Sequence, residues 1–291
     1  MYSGVITALA TPMRGGGIDV AGLKELVEFQ IAEGIDGLVP CGTTGEASTL
    51  SPAERAQVIG ITVERVAGRV PVIAGAGANS TSGAIENSKL AKEAGADALL
   101  HVTPYYNKPS AAGLVAHFRA VSEATDLPVL LYNVPARTGC DMQPQTVAQV
   151  AAFPGVIGIK EATGSIVRGQ QVIAACPADF VVLSGDDATA LALTAIGGRG
   201  VISVVSNVAP ARTVKMIHNA REGRLEEARV LLYHLLPLID LLFVESNPIP
   251  VKAAAALMGY GANELRLPLV PLAGEKLERL QGEMQRQGLL P

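Results

Sequence analysis

The stretch "VIGIKEATGS", residues 156–165, sets a lysine inside an otherwise apolar run. An ammonium taken out of water is costly unless it is paired or gives up its proton. In an extended strand Lys160 shares a face with Gly158 and Ala162, while Ile159 and Glu161 point the other way, so small neighbours leave room beside the amine. Burial favours an uncharged amine, and an uncharged amine attacks a carbonyl carbon to form a Schiff base. The alternative is a lysine that reaches the rim and pairs with an acid such as Glu161 or Asp186. The other seven lysines (Lys24, Lys89, Lys92, Lys108, Lys215, Lys252 and Lys276) fall on predicted helices or loops, where a solvated head is cheap.

Three further runs carry usable groups. "GTTGE" (42–46) puts two hydroxyls between glycines after an apolar run, an arrangement whose N–H and O–H groups suit a small carboxylate, though the same run is also an ordinary turn. It lacks the G-x-x-x-x-G-K spacing of a P-loop. Tyr132 ends "LPVLLYNVP" on the face of Leu130, and Tyr105 and Tyr106 lie in "TPYYNKP". A tyrosine beside a hydroxyl relays protons, which imine chemistry needs repeatedly; loop tyrosines are equally ordinary interface residues. Arg137, in a Pro-Ala-Arg-Thr-Gly turn, either clamps a carboxylate bidentately or only stabilises its loop.

Something must bring these runs together. Eight short apolar runs recur: "GVITALATP" from 4, "GIDGLVPCG" from 34, "RVPVIAGAG" from 69, "ADALLHVTP" from 96, "LPVLLYNVP" from 127, "GVIGIKEAT" from 155, "FVVLSGDD" from 180 and "GVISVVSNV" from 200. Helical patterns separate them. In "LKELVEFQIAEG" Leu23, Leu26, Val27 and Ile31 share a face and Gly34 ends the helix; Ser51, Pro52 and Glu54 spell a capping box at the start of the next. Near-continuous apolar strands joined by helical crossovers predict a parallel sheet covered on both faces. Eight units predict an α/β fold, a (β/α)8 TIM barrel, with a doubly wound sheet as the alternative. In such a barrel the chemistry sits where the strands end, and the runs named above are strand ends. "GGRG" (197–200) instead precedes strand eight, the wrong face for a phosphate site, so no phosphate-bearing cofactor is expected. About eighty residues after strand eight show only helical patterning, predicting a catalytic barrel over 1–224 and a small C-terminal helical extension over 225–291.

Composition excludes several classes. With 49% hydrophobic and 17% charged residues and a net charge of −4, the chain is globular and carries nothing to neutralise nucleic-acid phosphates in bulk. The N-terminus has no basic segment ahead of an apolar one, and no window is long and apolar enough for a membrane span; a cytoplasmic protein is expected. Cys41, Cys140 and Cys176 are odd in number and far apart, and His101, His117, His218 and His234 show no metal-ligand spacing, so neither a disulfide framework nor a metal site is expected.

As a set, "GTTGE", "TPYYNKP", "YNVPARTG", "IGIKEATG", "LSGDD" and "ESNPIPVK" closely resemble the dihydrodipicolinate synthase family, essentially over the full chain. "GTTGE" and the lysine are shared with a wider group that includes N-acetylneuraminate lyase and keto-deoxy sugar acid aldolases. The resemblance implies condensation of pyruvate with L-aspartate-4-semialdehyde to 4-hydroxy-tetrahydrodipicolinate, toward diaminopimelate and lysine, by a lyase without metal or organic cofactor. It implies that Lys160 forms the imine, that Thr44 holds the pyruvate carboxylate, and that Thr43, Tyr132 and Tyr106 relay protons, with Tyr106 supplied by a neighbouring subunit. Arg137 then receives the semialdehyde carboxylate, and the backbones of Gly185 and Ile202 line the site. A sugar-acid aldolase has less need of a cation at 137, which favours the synthase over the lyase or aldolase. The resemblance further implies a homotetramer, a dimer of dimers. Ser48, Asn79 and Tyr105 lie where some relatives bind lysine as a feedback inhibitor, but Pro52, Arg55 and Gly83 replace the histidines and acid of lysine-sensitive members. Weak or absent feedback is expected. No role is assigned to Cys41 or Cys140.

Overall fold

The structure is a computed structural model that describes residues 2–290. Eight strands form one parallel sheet: β1 (Gly4–Ala8), β2 (Gly37–Val39), β3 (Ile73–Gly75), β4 (Ala98–Val102), β5 (Val129–Asn133), β6 (Val156–Glu161), β7 (Val181–Ser184) and β8 (Gly200–Ser203). Their order is β2-β1-β8-β7-β6-β5-β4-β3, and a parallel bridge between Leu38 and Val72 brings β2 to the start of β3 and closes the ring. All eight expected runs therefore enter one barrel.

Alternation along each strand divides the core into two shells. Ile6, Val39, Ile73, Leu100, Leu130, Leu183 and Ile202 point inward and fill the cylinder. Val5, Leu38 and Leu99 point outward against Leu23, Leu26 and Val58, and Leu131, Ile159 and Val182 against Phe118, Val147 and Val172. Both faces are buried, which is why the strands read as apolar runs without a polar side.

The covering helices are α1 (Val20–Ala32), α2 (Pro52–Val66), α3 (Thr81–Glu93), α4 (Ala111–Glu123), α5 (Pro144–Ala151), α6 (Ile166–Ala175), α7 (Ala190–Ala195) and α8 (Pro210–Arg221). Leu23, Leu26 and Val27 of α1 are buried, Ile31 is half-buried, and Gly34 takes the left-handed conformation just beyond the helix at φ +82°. The capping box of α2 forms as its residue types predict, Ser51 accepting from the Glu54 amide and Glu54 from the Ser51 amide.

After α8 come α9 (Leu225–Leu242), α10 (Ile249–Leu257) and α11 (Gly274–Arg286). Their Leu235, Leu238, Ala254, Leu280 and Met284 share one continuous apolar core with Val5 and Leu23. The segment between α9 and α10 thereby reaches the end of the barrel where the strands stop.

Candidate active site

Strand β6 runs between β5 and β7 in a register that sets Lys160 beside Tyr132 on one side and Leu183 on the other. Lys160 is 6% exposed, and its Nζ lies 4.4 Å from the centre of the Tyr132 ring. The competing ion-pair reading fails on the partners. Glu161 faces outward and is occupied by Asn133 Nδ2 (3.1 Å) and the Thr163 amide (2.8 Å), while Asp186 accepts from the amide and hydroxyl of Thr189. Among the described residues no carboxylate pairs with Lys160.

Behind the lysine the strands are braced. Asn133 Nδ2 also reaches Asp141, onto which Arg168 forks at 2.7 and 2.9 Å, and the Arg168 hydrogen bonds hold the Asp141 carboxyl below its ordinary range. In front, Gly185 makes room: a Cβ there would stand 2.9 Å from Lys160 Cε and 2.5 Å from Ala162 Cβ.

"GTTGE" folds as a tight turn held by Thr11, whose hydroxyl donates to the Gly45 carbonyl at 2.8 Å. Glu46 adopts a left-handed backbone at φ +53° and turns its carboxylate inward onto Lys252 of α10, the two side chains being 1% and 2% exposed. The second Glu46 oxygen accepts from the Arg266 amide at 3.0 Å. This corrects the expectation of a solvated Lys252. Desolvation lowers its pKa, with the Glu46 carboxylate acting in the opposite sense. The misreading has a physical cause: its partner lies 206 positions away, and no local pattern marks a helix lysine as inward-facing.

A cavity of about 390 Å³ opens at the strand ends, walled by Thr43, Tyr132, Arg137, Ser48 and Tyr105 among others. Thr44 is 2% exposed, in the same turn, and its Oγ1 accepts from Asn247 Nδ2 at 3.0 Å. Arg137 Nη2 donates to the Asn247 carbonyl at 3.3 Å. Asn247, a cavity-wall residue in "ESNPIPVK", is thus the functional candidate that residue-level reasoning missed; no spacing in the sequence ties it to positions 44 and 137. Gly185 lies against Lys160, and Ile202 is fully buried on β8 inside the cylinder. Tyr106 is 88% exposed, held at φ +74° with its amide on the Thr138 carbonyl, and its side chain stands outside the cavity wall. Among the described residues the hydroxyls of Thr43, Tyr132 and Tyr106 make no hydrogen bond with one another, and it is Asn247 that joins the Thr44 turn to Arg137.

The remaining expected positions lie nearby. The Asn79 carbonyl accepts from Asn107, Pro52 opens α2, Arg55 joins the cavity wall, and Gly83 sits in α3, whose first turn holds no acid. Cys41 is buried and its thiol is pushed up to about 12 by desolvation, and burial raises Cys140 as well; neither is poised as a thiolate nucleophile.

The cavity wall carries the Tyr132 phenol, the Thr43 turn and the Arg137 guanidinium, while the Lys160 amine and Thr44 lie buried directly behind that phenol and turn; such a set can capture a 2-oxo acid and present it to a second anionic substrate. A family model described as the dihydrodipicolinate synthetase family matches residues 1–287. The 4-hydroxy-tetrahydrodipicolinate synthase of Maridesulfovibrio salexigens is 51% identical over 290 residues, covering 99% of this chain and 99% of that one. Among solved structures, dihydrodipicolinate synthase from Acinetobacter baumannii complexed with pyruvate is 45% identical with a TM-score of 0.98, covering all of both chains. A monomeric dihydrodipicolinate synthase variant is 44% identical, also at a TM-score of 0.98, over 99% of this chain and 98% of that one.

Proposed function

This chain belongs to the dihydrodipicolinate synthetase family, and on that premise we propose that it condenses pyruvate with L-aspartate-4-semialdehyde to 4-hydroxy-tetrahydrodipicolinate through an imine on Lys160. The activity is that of a class I aldolase-type lyase in diaminopimelate and lysine biosynthesis, and it needs no metal or organic cofactor. The observation that carries the role of Lys160 is its burial in the barrel wall against Tyr132 without a carboxylate partner.

Lys160 Nζ attacks the keto carbon of pyruvate and water leaves, giving the imine; loss of a methyl proton gives an enamine. Its carbon attacks the aldehyde of the second substrate, and that substrate's own amine then adds to the imine carbon and expels Lys160. Thr44 holds the pyruvate carboxylate and Arg137 the second carboxylate. Thr43 and Tyr132 move the protons together with Tyr106, while the backbones of Gly185 and Ile202 line the site. Borohydride added with pyruvate, followed by peptide mapping, tests this reading: an adduct on Lys160 is expected, and its absence or its appearance elsewhere defeats the assignment.

The exposure of Tyr106 supports a relay completed between subunits. Val167, Ile196, Val230 and Tyr233 form a second set of exposed apolar side chains on and beside α6, α7 and α9, which supports a homotetramer built as a dimer of dimers. Sedimentation equilibrium tests that state. No described helix is long and apolar enough to cross a membrane; a cytoplasmic location is our proposal, as is the division into a barrel over 1–224 and a C-terminal helical unit over 225–291. Ser48, Asn79 and Tyr105 remain as vestigial effector positions.

A further inference from the structure

We propose that Asn247 is a positioning residue that sets the direction of the Thr44 hydrogen bond and thereby how the first substrate's carboxylate is held, an inference that rests on the pyruvate reading above. A threonine hydroxyl has one proton to give and lone pairs to receive. Asn247 Nδ2 donates to one of those lone pairs at 3.0 Å, and among the described residues the Thr44 proton is given to no acceptor. A carboxylate is acceptor-only, so the proton Asn247 leaves free is the one it requires.

The orientation of the amide follows from what each alternative buries. As it stands, Asn247 Oδ1 is buried without a partner. Turned end for end, the amide would bury N–H groups without acceptors and take the Thr44 proton for itself; an unpaired carbonyl oxygen is the more tolerable orphan.

Asn247 also meets Arg137, but through its main-chain carbonyl. Side chain and backbone thus serve different carboxylate receivers, and substitution separates them. The segment that delivers Asn247 is anchored independently, since Lys252, five residues on, is held by Glu46, two residues beyond Thr44. The segment joining the C-terminal helices therefore supplies part of the site wall.

The test uses the full chain, with Asn247→Ala and the near-isosteric Asn247→Asp, the latter keeping the measurement available if the alanine variant folds poorly. Steady-state constants for both substrates, and the half-saturation of borohydride trapping by pyruvate, are measured from about pH 8 to about pH 5.5. Asn247→Ala is expected to raise the pyruvate KM about tenfold while the semialdehyde KM stays within about twofold. Asn247→Asp at high pH is expected to be worse, because an ionised carboxylate accepts the Thr44 proton and repels the substrate. On acidification the carboxyl becomes a donor, and the ratio of its half-saturation to that of the parent falls toward one. The charged groups around position 247 are Arg137, Arg55 and Glu46 on the same cavity wall, with Lys252 paired to Glu46; all are present in parent and variant alike, so the ratio cancels their own titration. A ratio flat with pH, or equal changes in both KM values, overturns the inference by assigning Asn247 to packing alone. No adduct on the parent chain overturns the pyruvate reading and this inference with it, so the two failures are told apart.

Discussion

Lys160 and Tyr132 are partners in register on adjacent parallel strands, and the amine lies 4.4 Å from the centre of the phenol ring. Side chains at the same level of neighbouring strands point to the same side, so the pairing follows from the sheet and needs no loop to hold it. A site built on strands is held more firmly than one built on loops. The consequences of that arrangement can be measured.

Gly185→Ala places a methyl where the lysine stem passes, 2.9 Å from Cε. The shift of the lysine stem that this contact forces is expected to lower kcat/KM about 10- to 100-fold and to slow borohydride trapping, with modest loss of Tm. Wild-type trapping kinetics in this variant would show that the stem is not confined.

Arg137→Ala should leave pyruvate trapping intact and raise the semialdehyde KM about 100-fold, since a guanidinium that meets a carboxylate acts on the second substrate alone. Parallel weakening of pyruvate would assign the arginine to loop structure.

Removing one member of the buried Glu46–Lys252 pair strands the other charge. Lys252→Met is expected to cost about 3–5 kcal/mol in chemical denaturation, and adding Glu46→Gln to recover most of it. Equal losses in the single and double variants would mean that the two side chains do not act as a pair.

His101 is fully buried and its pKa is lowered by burial, with His117 adding to the effect, to about 3 from an ordinary 6.5. The fold therefore favours the neutral ring. Its contribution to stability is complete above 6.5 and declines as pH falls from there toward 3, where the unfolded chain binds the proton and the folded one does not. A slope of about 1.4 kcal/mol per pH unit is expected from this residue. Denaturation midpoints of the parent and a His101→Gln variant, measured against pH, should converge on acidification; parallel curves would remove His101 as the cause.

Lysine at sub-millimolar concentration should leave a coupled assay unaffected. Position 83 is a glycine in a helix turn without an acid, so the ammonium of lysine lacks its partner there. Inhibition in that range would mean that another group supplies the charge.

The barrel was legible because its signals are local. Eight apolar runs separated by helical periods, a capping box at Ser51 and the period-two placement of Lys160 between Gly158 and Ala162 each lie within a few residues, and backbone geometry converts such spacing directly into faces. The motifs at the strand ends were legible for the same reason.

Tertiary structure alone decided which polar groups share the interior. Thr44 meets Asn247 across 203 positions and Glu46 meets Lys252 across 206, while Tyr106, which the family resemblance assigns to a neighbouring subunit's site, stands exposed outside this chain's own cavity wall. A lysine on a helix reads as solvated because its cost depends on the partner that arrives when the chain closes, and an asparagine in a loop carries no periodicity at all. Sequence fixes the direction of a side chain relative to its own element. Only packing of distant elements fixes what that side chain faces, and it is the facing group that sets charge, hydrogen-bond direction and therefore chemistry.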